Sequence, residues 1–240
     1  GAAVTPTDGQ YTLDRYETRV SQANKLTIQQ SSVAPAGFTK SLLVTSSSAY
    51  SITASDYFAV CQSIEGFNVA DLGFGTASAQ TVTLSFWVRS SFTGTFGGSI
   101  TNSSNRFYPF TYSISASNTW EQKSVTIVGD TTGTWVANNG KALQLSFGLG
   151  CGSTFNGTAG AWNGTSGYFS ATGATSVVGT SGATFYITGV QLEAGSTASP
   201  FAHENYGDTL QKCQRYYEWG GASGSGYAAV TAIFDAGSTS

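Results

Sequence analysis

Apolar and polar residues alternate along much of this 240-residue chain. The alternation is clearest at 81–89, where Val82, Leu84, Phe86 and Val88 share one face and Thr83, Ser85, Trp87 and Arg89 the other. A period of two marks a strand with one buried and one solvated face. Similar runs at 26–30, 57–64, 108–114, 121–128, 143–149 and 185–192 predict seven or more strands. Between them stand Thr93-Gly94, Gly97-Gly98, Gly129-Asp130 and Asn138-Asn139-Gly140, which tolerate positive φ and read as tight reversals. No helical period of about ten residues occurs before residue 200, so parallel βαβ units are not expected. The pattern predicts an all-β fold, an antiparallel sandwich of two sheets.

Two segments depart from it. Residues 150–182 hold Gly, Ser, Thr and Asn with Phe155, Trp162, Tyr168 and Phe169 set among them. A loop of more than about 15 residues on a rigid sandwich is a common binding arrangement. Its plainer reading is a surface excursion pinned by its own rings. Beyond Pro200, residues 206–219 carry Leu210, Cys213, Tyr216 and Tyr217 near spacings of three and four, which predicts one short amphipathic helix. Residues 220–226 read as a flexible linker and 227–235 as the opening strand of a further segment. The expected division is therefore 1–205, the sandwich, and 206–240, the helix, linker and start of a C-terminal domain. Leu210, Tyr216, Tyr217 and Trp219 give the helix an apolar face suited to a subunit contact, expected near a threefold axis. Trp87, regular in its strand, is expected to be structural.

Composition narrows the partners. Charged residues make up 10% of the chain against 40% hydrophobic and 13% aromatic, well below the roughly 25% charge usual in globular proteins. The surface is therefore unusually neutral, its polarity supplied by Ser, Thr, Asn, Gln and 30 glycines. A net charge of −3 without any Lys/Arg run offers no footprint for a phosphate backbone, so no nucleic acid is expected. No apolar run of about 18 residues occurs, so no membrane insertion is expected. Cys61, Cys151 and Cys213 lack C-x-x-C spacing and read as free thiols. Met is absent even at position 1, as expected of a piece of a longer polypeptide. The sequons at Asn102, Asn156 and Asn163 read as chance products of an Asn/Ser/Thr-rich chain.

One block is more specific. Ile187-Thr188-Gly189-Val190-Gln191-Leu192-Glu193-Ala194-Gly195-Ser196, then Pro200-Phe201, Tyr206-Gly207 and Cys213-Gln214-Arg215-Tyr216-Tyr217, resembles a block recurrent in bacteriophage tail-fibre and virion-surface proteins. Similar proteins carry counterparts of Tyr11-Thr12-Leu13-Asp14-Arg15, of Ile64-Glu65-Gly66 with Gly73-Phe74-Gly75-Thr76-Ala77, and of Leu84-Ser85-Phe86-Trp87-Val88. The resemblance implies a carbohydrate-binding-module-like jelly roll in a trimeric fibre or appendage, located on the virion among other virion proteins and serving host attachment. Residues after Trp219 are too few for the complete second domain that such proteins carry.

Sugar recognition needs aromatic faces for the apolar side of pyranose rings and amides or hydroxyls for their hydroxyl groups. Trp162 and Tyr168, with Asn156 and Asn163, form the first local cluster, and Trp135 beside Asn138 and Asn139 the second. Catalytic residues are not expected. Asp56, Glu65 and Asp71 are the one acidic trio in a short stretch, without a motif to fix a pair of carboxyls about 5 to 10 Å apart. His203 has no nucleophile motif nearby. No cofactor is expected beyond a structural calcium, for which Asp14, Glu17 and Glu193 are the candidates, with pairing of Glu193 to Arg15 or Arg19 the alternative. The sequence thus points to a virion protein binding a host-surface glycan as a homotrimer. A purely architectural capsid-decoration or fibre-spacer protein is the alternative, and a polysaccharide depolymerase the third reading.

Overall fold

The computed structural model describes residues 1–164 and 167–214, apart from the Cys213 side chain. The chain divides into two compact units, Gly1–Ser199 and Pro200–Ser240. The strands of the first unit are β1 (Gln10–Leu13), β2 (Tyr16–Val20), β3 (Leu26–Ser31), β4 (Ser41–Ser46), β5 (Tyr57–Glu65), β6 (Val82–Ser90), β7 (Gly94–Asn102), β8 (Phe107–Ile114), β9 (Glu121–Ile127), β10 (Lys141–Cys151), β11 (Asn156–Gly157), β12 (Ser170–Ala171) and β13 (Thr184–Ala194). One sheet runs β1-β2-β5-β10-β7-β8 and the other β3-β4-β13-β6-β9. Every pairing within these two sheets is antiparallel. The fold is the antiparallel β-sandwich that the alternation predicts.

Its core lies between the sheets. Phe58, Phe86, Phe96, Phe110, Phe147 and Phe185 are fully buried there, each stabilising the fold by about 1.5–3 kcal/mol through burial. Val82, Leu84, Phe86 and Val88 face it as expected, while Trp87 lies half-buried on the opposite face of β6 between Thr188 and Gln122.

The reversal expected at Gly97-Gly98 is instead the middle of β7. Phe147, Gly98 and Phe110 are direct neighbours across β10, β7 and β8. Strands two apart lie about 9.5 Å from each other, yet the Phe110 and Phe147 ring centroids are 6.3 Å apart. The rings close over the glycine, and a Cβ at Gly98 would stand 2.5 Å from Phe110 Cζ. On the other face, Gly97 and Gly148 leave room for the Ser170 hydroxyl of β12.

Asp56, at the mouth of β5, is a buried latch. Its carboxylate accepts hydrogen bonds from Ser21 Oγ at 2.8 Å, Tyr50 OH at 3.0 Å, Thr53 N at 2.8 Å and Thr53 Oγ1 at 2.7 Å. Burial by itself would raise the carboxyl pKa, but the bonds from Thr53, Ser21 and Tyr50 outweigh it and hold the pKa at about 2. Glu121 is held at about 2 in the same way: burial is outweighed by Lys123 and by Ser115 and Ala116. Both groups stay ionised in the fold at pH values where the unfolded chain takes up protons. Their contribution is therefore complete above the ordinary carboxylate range and is lost as the pH falls through it toward 2. The melting temperature is expected to be flat above about pH 5 and to fall between about pH 4 and pH 2, with Asp56→Asn making that fall shallower, as scanning calorimetry would record.

In the second unit the described residues hold one helix, α1 (Tyr206–Gln214). Asn205 Oδ1 accepts the Gly207 N–H at 2.9 Å, the bond that opens a helix from an Asn cap. Lys212 pairs with Glu204 at 2.6 Å. Leu210 is exposed on α1, whereas Tyr216, Tyr217, Trp219 and the expected linker and strand lie outside the described residues. Among the described residues no helix is long and apolar enough to cross a membrane.

Candidate functional site

At the end of the sandwich where β5 and β7 finish and β8 and β10 begin, three segments from outside the sheets meet. They are the β5–β6 connection with its two 3-10 turns (Gly66–Asn68 and Ala70–Leu72), residues 128–140 between β9 and β10, and residues 158–164. They bring Phe74, Trp135 and Trp162 against one another. The Phe74 ring lies 4.8 Å from Trp135 and 6.0 Å from Trp162, and the two tryptophans meet edge-to-face at 5.5 Å and 89°. Tyr108 of β8 closes the group at 5.3 Å from Trp162. Phe74 is buried and both tryptophans are half-buried, packed against the core.

Both indole N–H groups are used internally: Trp135 donates to Thr132 O at 3.1 Å and Trp162 to Val128 O at 2.7 Å. What remains outward is ring surface. Around it Phe67 and Val128 are 55% and 56% exposed, and a cleft of about 50 Å³ opens between Val69, Ala70, Phe74, Trp135, Val136 and Ala137. Partly buried rings, a small hollow of mixed polar and apolar lining and the neighbouring Asn138 and Asn139 amides make up an uncharged surface here.

The segment carrying Trp135 is latched by a buried ion pair. Arg106 Nε and Nη2 donate to the two carboxylate oxygens of Asp130 at 2.6 and 2.8 Å. Asp130 also accepts from the N–H and hydroxyl of Thr132 at 3.1 Å each, and its side chain is 3% exposed. Hydrogen bonding to that carboxylate raises the Arg106 pKa further. Asn102 Nδ2 donates to Thr134 O, Gly75 N to Asp130 O, and Phe67 N to Asn138 O. Gly75, at φ +83°, is needed here: a Cβ would lie 2.8 Å from both Trp135 Cδ1 and Gly133 O. The charges of the latch neutralise each other and leave the ring surface uncharged.

The two tryptophans of the separate sequence clusters are thus brought into one group, and Asn156 and Tyr168 are not. Asn156 donates its amide to Cys151 O and Gly152 O and accepts from Thr172, which commits it to folding its own loop. Tyr168 packs on Phe107 of β8, and the Asn163 backbone pairs with that of Phe107. The segment expected at 150–182 is not a freestanding loop: Phe155 and Phe169 pack on Tyr57 of the six-stranded sheet, the Arg19 guanidinium sits 5.3 Å from the Phe169 centroid, and Val177 and Val178 are buried in the core. Phe155, Tyr168 and Phe169 are half-buried, the pinned excursion that was the plainer reading. Phe74, Tyr108, Arg106 and Asp130 are missing from the sequence-based set.

The calcium candidates are not gathered. Asp14, in the β1–β2 turn at φ 49°, pairs with Arg15 at 3.6 Å, and Glu17 lies 3.7 Å from Arg19 in the six-stranded sheet. Glu193, in the five-stranded sheet, accepts from Ser199 N and Oγ and from Gln191, which holds its pKa below the ordinary value, and the alternative pairing with Arg15 or Arg19 is not made. Among the described residues no three His, Cys, Asp or Glu side chains come together as metal ligands. Nor does the acidic trio converge: Asp56 and Glu65 bracket the length of β5, about 30 Å at strand rise. Asp71 is exposed on the second 3-10 turn. His203 meets the Phe201 ring at 4.9 Å. Cys61 and Cys151 are free thiols whose pKa values burial pushes up to about 11 and about 12, the mark of unreactive sulfur.

No family model and no curated protein matches the chain. Among solved structures it is similar to the family 11 carbohydrate-binding module of a Clostridium thermocellum cellulosomal cellulase, at 10% identity and TM-score 0.41, covering 81% of this chain and 95% of that one. A xylan-binding CBM22-1 domain from Paenibacillus barcinonensis gives 9% identity and TM-score 0.41, with 82% and 95% covered. The enzymatically active domain of tailspike protein 4 of bacteriophage CBA120 gives 12% and 0.42, with 75% of this chain and 19% of that one covered. The match therefore spans about a fifth of that tailspike domain. Identities and scores this low leave function to the chain's own residues.

Proposed function

We propose that this chain is a glycan-binding module of a phage fibre or virion-surface protein, serving host attachment as part of a homotrimer. The observation that carries the glycan reading is the convergence of Trp135 and Trp162, 27 positions apart in sequence, into a partly exposed ring pair with both indole N–H groups satisfied from within. Such rings offer apolar faces without competing polar demands, and Asn138 and Asn139 supply amides beside them. The virion setting is supported by the block Ile187 to Ser196 with its Pro200-Phe201 sequel. The proposed role is binding, which a surface of rings and amides suits.

An array of host-derived polysaccharides tests this. The parent protein is expected to bind, and Trp135→Ala and Trp162→Ala each to weaken binding about tenfold or more, as truncation of a central aromatic anchor does. Absence of binding by the parent, or parental affinity in folded variants, would overturn the reading.

A further inference from the structure

We propose that the site takes neutral glycans and excludes uronate-bearing ones, with Asp71 as the residue that sets this choice. This rests on the glycan reading above and adds the class of glycan that the rings accept. The three segments that build the site, residues 66–81, 128–140 and 158–164, carry no Lys, Arg or His. Their two charged side chains are the carboxylates of Asp71 and Asp130. Asp130 is spent: its side chain is 3% exposed and it holds the Arg106 guanidinium by two bonds. Lys141, at the start of β10, stands opposite Glu65 in the register and donates to Gln144 Oε1 at 3.1 Å. Arg15, in the turn between β1 and β2, pairs with Asp14. Each of these cations already has an acidic neighbour.

Asp71, by contrast, is exposed on the second 3-10 turn, and its carboxylate makes no ion pair among the described residues. Ala70, which precedes it, lines the cleft together with Trp135. Consecutive Cα atoms are about 3.8 Å apart, well inside the Debye length of about 8 Å at physiological ionic strength. A carboxylate bound at the rings therefore meets a like charge within reach and no cation on the segments around it. It also gives up hydration there without gaining a charged partner, a cost that a hydroxyl escapes.

Matched pairs of the array polysaccharides isolate the charge. Each chain is immobilised in two forms that differ only at C6, uronates being reduced to primary alcohols and neutral hexoses oxidised to uronates. At about 20 mM salt, where screening is weak, the parent is expected to bind the neutral form about fivefold more tightly or better, because like charges set against each other suppress the wrong partner. Asp71→Asn is expected to lower that ratio about twofold or more. Asp208→Asn, which takes the same charge from α1, is expected to leave it as in the parent. Melting temperatures confirm the fold of both variants. Equal or tighter binding of the uronate form by the parent, a ratio that Asp71→Asn leaves unchanged, or an equal fall in Asp208→Asn would overturn the exclusion by Asp71 while leaving the glycan reading in place. Failure of the parent to bind either form of any chain would overturn both.

Discussion

Asp130→Ala is expected to lower stability by about 1.5–3 kcal/mol, since it removes the carboxylate gripped by the partly buried Arg106 guanidinium and by the Thr132 turn. Arg106 Nε and Nη2 lose their bonds of 2.6 and 2.8 Å, and the turn at Thr132 loses its two acceptor contacts. The consequence reaches the site, because residues 128–140 carry Trp135 and the Val128 carbonyl that holds Trp162. Denaturant unfolding should show the lost stability, and glycan affinity should fall in the same variant at temperatures where it remains folded. Parental stability would mean that the ion pair is dispensable and that packing of Phe74 against the tryptophans alone fixes the segment.

Gly98→Val is expected to cost about 3 kcal/mol, at the upper end of what overpacking a core does. Here the damage is to the ring pair over the strand. Phe110 and Phe147 meet across Gly98, and Phe147 also packs on Phe86 at 5.0 Å and Tyr112 at 6.5 Å. A branched side chain in that row pushes Phe110 off its position and opens the joint between the sheets. Urea unfolding with an unchanged slope and a lower midpoint would show it. A neutral result would mean that the rings do not close over the glycine.

Gly98 also shows where the sequence stops being readable. Glycine pairs usually mark reversals, and nothing local to Thr93 through Gly98 reveals that the room is taken by rings from two other strands and, at Gly97, by Ser170. β4 was equally hidden, because Leu42, Leu43 and Val44 are all buried and show no alternation. Where one face meets the core and the other does not, as at Val82 to Val88, the pattern was plain. The same division holds at the site. Trp135 and Trp162 stood out as rings among Gly, Thr and Asn, yet their meeting depends on contacts between segments far apart in the chain. Asp130 read as a turn residue after Gly129, and only the fold sets it against Arg106. Asn156, with the composition of a sugar ligand, spends its amide on its own backbone.

Where a glycan touches the protein is read directly by a heteronuclear NMR titration of the indole N–H signals. Trp135 and Trp162 sit at the proposed site, whereas Trp87 lies on the outer face of β6 and Trp120 packs on Tyr186 of β13. On adding a bound oligosaccharide, the Trp135 and Trp162 signals are expected to shift together along one saturation curve while those of Trp87 and Trp120 stay in place. Saturable binding that leaves the Trp135 and Trp162 signals unmoved would contradict the account.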